Sequence, residues 1–208
     1  MSQVAPAELA IGAAARTYPG EDVSGDAWQV DWHDGVCRVA VIDGLGHGPE
    51  AAAAANAARA ALTGRPDLAP DDSLRLCHAA LGGTRGAAIS IASLDARAGR
   101  LAYAGVGNVE AHLWQGATQQ RLMAYRGIVG AVLPTPRVFT YDLQPDWLLV
   151  LHTDGVRSRF QLQGLTAGQS ADPQRLADDL LAGWCRSTDD ATVVVVRRAV
   201  WPAEPALA

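Results

Sequence analysis

Apolar and polar positions alternate with a period of two in short runs over most of the chain. Near the start these runs are Leu9 to Thr17, Ala27 to Trp32 and Val36 to Ile42. After Gly86 they are AAISIASL, LAYAGV, VEAHLW, QQRLM, RVFTYDL and WLLVLH, and ATVVVVRRAV closes the series. Period-two runs of this length, punctuated by Gly, Pro, Asn and Asp, predict strands. Three stretches switch to a helical grammar. Pro49 to Thr63 is alanine-rich with Gly64 behind it, Pro70 to Gly83 carries aspartates in front and glycines behind, and Pro173 to Trp184 is amphipathic.

A helix pair early and one helix late, among many hairpin-linked strands, do not alternate as a parallel βαβ sheet requires. The pattern predicts an α+β fold of largely antiparallel sheets packed together with helices outside. With 208 residues one domain, 1–208, is expected, its core spanning about 9–200 and its tail 201–208 frayed. The hydrophobic share of 49% and charged share of 19% are those of a globular chain. A net charge of -5 without any Lys/Arg run speaks against a nucleic-acid binder. Cys37, Cys77 and Cys185 have neither zinc-site nor disulfide spacing and read as small apolar residues. The opening MSQVAPAELA has no secretory pattern and no apolar run is long enough to span a bilayer. The expectation is a cytoplasmic protein without a membrane partner.

The densest chemistry is the turn Asp43-Gly-Leu-Gly-His-Gly48 between the third strand and the first helix. Its glycines form GxGxG rather than the GxGxxG of dinucleotide loops, and a carboxylate in front of them repels a polyphosphate unless a cation intervenes. Register supplies a second argument. If Asp34-Gly35 is a two-residue hairpin turn, His33 pairs with Val36, and counting outward sets Asp26 opposite Asp43. Like charges facing across a strand pair are unfavourable, more so when buried, and a hard divalent cation such as Mg2+ or Mn2+ offsets them. Asp154 and the pair Asp189-Asp190 also stand at strand ends. A thiolate phosphatase loop is excluded by counting, because six residues beyond each cysteine stand Asp43, Gly83 and Ala191 instead of arginine. His152, inside an apolar strand, reads as a satisfied core histidine; His33, His78 and His112 read as surface or turn residues.

The segments SGD (Ser24–Asp26), DGLGHG (Asp43–Gly48), GVGNVEAHLW (Gly105–Trp114), RGIVG (Arg126–Gly130), LVLHTDGV (Leu149–Val156) and DDATVVVVR (Asp189–Arg197) follow one another in the order found in a known family. Together they resemble the metal-dependent protein serine/threonine phosphatases of the SpoIIE/RsbX type, within the PPM superfamily. The likeness runs from about Gly12 to Arg197. It implies an αββα four-layer sandwich with a dinuclear Mn2+ or Mg2+ site at one end, a third ion being open. The implied metal ligands are Asp26, Asp43, the Gly44 carbonyl, Asp154 and Asp189. The implied activity is hydrolysis of phosphoserine or phosphothreonine on a phosphorylated partner, a STAS-domain stress regulator, with cation-activated water attacking phosphorus in line. Asp26 and Asp43 then belong to the catalytic centre, and His47, as an imidazole, is a residue type that can protonate the leaving oxygen. Arg16 is the N-terminal arginine available to a phosphate. The alternative is a silent phosphatase-fold module that only docks a signalling partner; a nucleotide binder stands third.

Overall fold

The computed structural model describes residues 9–158, 160 and 172–199. Two five-stranded antiparallel sheets pack face to face. The first holds β1 (Leu9–Arg16), β10 (Ala191–Arg198), β9 (Leu148–His152), β6 (Glu110–Gln115) and β7 (Thr118–Arg121), in that order. The second holds β2 (Asp26–His33), β3 (Val36–Gly44), β4 (Ala87–Asp95), β5 (Arg100–Val106) and β8 (Phe139–Asp142). Helices α1 (Gly48–Leu62) and α2 (Pro70–Ala80) cover the second sheet, and α3 (Pro173–Trp184) covers the first.

Strand parity explains the layers. Val39 and Val41 of β3 point inward against Leu149 and Leu151 of β9 and Val194 and Val196 of β10. Their neighbours Ala40 and Ile42 point outward, under Ala54, Ala58 and Leu62 of α1 and Leu74 of α2. On the other sheet Val150, Val193 and Val195 meet Leu176, Ala177 and Leu180 of α3. Each central strand is therefore buried on both faces, which is why β9 and β10 read as continuous apolar runs. The alanines of α1 combine high helix propensity with a close approach to the sheet. The tail expected to fray, 201–208, lies outside the described residues.

The β2–β3 hairpin closes through Asp34 at φ 48° and Gly35 at φ 85°, the left-handed pair a two-residue type I′ turn needs. Its register pairs His33 with Val36 and Asp26 with Asp43, as the turn dictates. Strand β2 gains one residue at each end of the expected run and β3 runs two residues further, to Gly44, so the two aspartates belong to the ladder itself. The helix expected over Pro70–Gly83 stops at Ala80, where Leu81 leaves helical geometry and Gly83 turns at φ 87°. Arg38, 1% exposed, ties the hairpin to the helices through Asp31 and the carbonyls of Leu62 and Arg65.

Candidate active site

The open end of the β2–β3 hairpin meets the C-terminal end of β9 and the N-terminal end of β10. Asp26 bridges the sheets, accepting a 2.7 Å hydrogen bond from the Thr153 hydroxyl just beyond β9. The Thr153 hydroxyl in turn accepts from the Thr192 N–H of β10 at 2.9 Å. Asp154 follows Thr153 and is oriented by the Asn108 amide, which donates to its Oδ2 at 2.6 Å.

Asp189 and Asp190, adjacent in sequence, have different surroundings. Asp190 is 3% exposed and accepts from the backbone N–H groups of Tyr18 and Gly25, at 2.8 and 2.9 Å. It clamps the segment leading into β2. Asp189 instead lies with Asp154, whose charge is the second cause of its raised pKa after burial.

Close backbone packing holds this end together. A Cβ on Gly44 would come within 2.2 Å of the Ala51 carbonyl oxygen, and one on Gly155 within 1.8 Å of the Asp190 carbonyl oxygen. Glycine is the side chain that lets α1 sit on the end of β3, and β10 on the Thr153–Gly155 turn.

The electrostatics follow from this convergence. Burial pushes the Asp43 carboxyl up to about 9, reinforced by the charges of Asp26, Asp154, Asp189 and Asp190. Asp26 rises to about 7, again through burial, although the hydrogen bond from Thr153 acts the other way. Among the described residues, no Arg or His forms an ion pair with Asp26, Asp43, Asp154 or Asp189. An all-oxygen donor set with uncompensated negative charge has the chemistry of a site for hard divalent cations.

His47 caps the turn before α1. Its Nδ1 lies 2.7 Å from Glu21 Oε1, and its ring stacks on Tyr18 with centroids 4.2 Å apart. A carboxylate only accepts, so the Nδ1 proton faces Glu21. Arg85 reaches the same turn, pairing with Glu50 beside Gly46. Arg16, by contrast, commits its guanidinium to Cys185 Sγ and the Arg186 carbonyl.

Several neighbours of the acidic cluster carried no role in the sequence reading. Thr153 and Asn108 both sit inside segments that were singled out, but their hydrogen bonds depend on cross-sheet packing that spacing does not reveal. His112 is a correction: it is 5% exposed on β6, neither a surface nor a turn residue. Its face of the sheet is covered by Phe160, whose ring packs edge-on against it. His78 is half-buried on α2 and accepts the Gly130 N–H, while His33 is exposed at the end of β2.

No helix among the described residues is long and apolar enough to cross a membrane. The family model described as Stage II sporulation protein E (SpoIIE) matches residues 33–199. A protein solved in work on the bacterial stressosome, a modular system adapted to control secondary messenger signaling, is 32% identical over 91% of this chain and 99% of its own, with a TM-score of 0.85. RsbX in complex with magnesium is 21% identical over 92% of this chain and 96% of its own, with a TM-score of 0.82. The SpoIIE phosphatase domain with a regulatory fragment, from Bacillus subtilis, is 20% identical over 91% and 61%, with a TM-score of 0.76. At those identities RsbX and SpoIIE establish likeness of fold. No curated protein matches the sequence significantly. With two antiparallel sheets between helical layers, and a family match over most of its length, the chain belongs to the SpoIIE family and shares the fold of the PP2C phosphatase domain of SpoIIE and of RsbX.

Proposed function

We propose that this chain removes phosphate from phosphoserine or phosphothreonine of a protein partner, with Asp26, Asp43, the Gly44 carbonyl, Asp154 and Asp189 holding two Mn2+ or Mg2+ ions. The observation that carries this reading is the half-buried pairing of Asp26 with Asp43 in one hairpin, in the electrostatic field of aspartates from the other sheet. When bound, such cations acidify water and neutralise charge on the phosphoryl oxygens.

The chain's own residues set the geometry for that chemistry. Thr153 fixes Asp26, Asn108 fixes Asp154, and Asp190 holds the Gly25 backbone under the hairpin end. These partners orient the carboxylates before any cation arrives. We assign His47, held by Glu21 and Tyr18, the role of protonating the leaving seryl or threonyl oxygen from Nε2, its Nδ1 being engaged by Glu21.

Similarity to a protein of stressosome work and to RsbX supports a phosphorylated STAS-domain stress regulator as substrate, met in the cytoplasm. The test is phosphate release from a phosphorylated STAS-domain protein and from a generic phosphoester, with Mn2+, with Mg2+ and with EDTA. Turnover of both substrates that EDTA abolishes is expected. Absence of cation-dependent turnover on either substrate identifies a silent docking module. Turnover of the generic ester alone overturns only the STAS assignment.

A further inference from the structure

Behind the acidic cluster, on the α3 side of the first sheet, Glu110 and His152 are register partners on β6 and β9, and His112 lies two residues along the same face. One ligand atom from each lies within 4.8 Å of the others. Glu110 Oε2 is 3.1 Å from His112 Nε2 and 4.0 Å from His152 Nε2. The His152 side chain is 0% exposed, that of His112 6% and that of Glu110 14%.

His152 Nε2 is buried and without a hydrogen-bond partner. Its Nδ1 lies 2.9 Å from the Thr153 carbonyl, an oxygen that only accepts, so Nδ1 carries the proton and the Nε2 lone pair points at Glu110. A satisfied core histidine has no such orphan. The Gln119 amide nitrogen donates to His112 Nδ1 at 3.2 Å, and His112 Nε2–H donates to Glu110 Oε2 at 3.1 Å. A cation between the rings takes the place of that Nε2 proton: His112 becomes the tautomer protonated at Nδ1, and the Gln119 amide turns its oxygen to accept from it. The other Glu110 oxygen is held by Arg121 at 2.9 Å and Ser158 at 3.0 Å, leaving Oε2 to face the two rings. Phe160 packs edge-on against both imidazoles and shields them from water.

We infer that Glu110, His112 and His152 form a second metal site, selective for a borderline transition-metal ion of the zinc class and distinct from the all-oxygen aspartate centre. Two imidazoles and one carboxylate are a donor set for Zn2+ or Co2+ rather than Mg2+. Bonds of about 2.0–2.1 Å place ligand atoms roughly 3.3 Å apart in a tetrahedral shell, which the observed spacing reaches by small side-chain rotations. Bound there, the ion cross-links β6 and β9 next to Asn108, Thr153 and Asp154. Its role is to brace the strand ends that carry the aspartate centre.

Co2+ is the probe. Titrated into the full chain, one equivalent is expected to give the strong visible absorption of a nitrogen-ligated, low-coordinate ion, displaced by Zn2+. Asp43→Asn retains this signal; Glu110→Gln and His112→Gln weaken binding at least about tenfold. Zn2+ raises the melting temperature of Asp43→Asn but not that of Asp43→Asn combined with His112→Gln. Gln119→Ala, which leaves all three ligands in place, weakens Co2+ binding by about tenfold. Absence of the band in the unmutated chain overturns the assignment whatever the variants do. So does a band that survives His112→Gln in a protein with native circular dichroism, or a near-ultraviolet thiolate band showing capture by a cysteine.

Discussion

Two pairs of facing residues at strand ends are built alike and behave in opposite ways. Asp26 faces Asp43 across β2 and β3; Glu110 faces His152 across β6 and β9. In the first pair burial and mutual repulsion drive the carboxyls toward neutrality. In the second, burial alone favours a neutral Glu110, but hydrogen bonds from His112 and Ser158 and the Arg121 charge outweigh it and keep its pKa low. His152 is held neutral, chiefly by burial. The same ladder position thus yields a pair that needs an added cation to ionise and a pair already poised as carboxylate and lone pair. What decides the outcome is the depth of burial and the hydrogen-bond donors and charges around each pair, not the strand geometry.

The comparison breaks most sharply at Asp43. Asp43→Asn is expected to lower cation-dependent phosphate release by more than about 100-fold, beyond the usual loss from a supporting residue alone. In EDTA the same substitution is expected to raise the melting temperature by several degrees, since it removes a half-buried, repelled carboxyl. Loss of activity with lower stability in EDTA contradicts the account of a strained acidic pair.

A pH series on the metal-free protein separates the two pairs next. Asp26 and Asp43 have folded pKa values of about 7 and about 9, above the 3.8 of an ordinary aspartate. Between those limits the folded state binds more protons than the unfolded, so these groups make stability fall as pH rises from about 4 to 9. The loss is on the order of a few kcal/mol, and Mn2+ is expected to reverse it. His152 acts in the other direction. Its folded pKa is depressed below 6.5, so its contribution is present above that value and lost as pH falls through it. His112→Gln is expected to leave the alkaline loss unchanged, and Asp43→Asn to shrink it; thermal melts from pH 5 to 9 report both.

Thr153 links the pairs, following His152 in the chain and donating to Asp26. Thr153→Val keeps the shape and removes the hydroxyl, leaving the Thr192 N–H without its acceptor. Activity is expected to fall by roughly 10- to 100-fold, with a stability loss of about 1–3 kcal/mol. Thr153→Ser, which restores the hydroxyl, is expected to recover most of both.

The sequence made the first pair legible and hid the second. A two-residue Asp-Gly turn fixes register, so Asp26 opposite Asp43 follows by counting along one hairpin. The approach of Asp154 and Asp189 depends on how one sheet packs on the other, a long-range fact with no local signal. Which of Asp189 and Asp190 faces the cluster was equally hidden, because adjacent side chains at a strand end diverge and only the N–H groups of Tyr18 and Gly25 select Asp190. His112 was misread because Glu110 and His112, at alternate positions before Trp114, look like a solvent face. Phe160 and α3 cover that face. The layer order was legible because apolar period and helix signals both survive in the chain.

The smallest effect tests whether orientation matters apart from folding. Asn108 is exposed and donates to Asp154 at 2.6 Å, so Asn108→Ala removes no buried contact and its stability change is expected to stay within about 0.5 kcal/mol. The Asp154 carboxylate, freed to rotate, holds a cation less well. The expected result is a several-fold rise in the Mn2+ concentration needed for half-maximal activity, with turnover at saturating Mn2+ little changed. A fall in turnover that excess Mn2+ does not recover assigns Asn108 to the reacting phosphate instead, and moves the substrate site from the β2–β3 hairpin end toward β6.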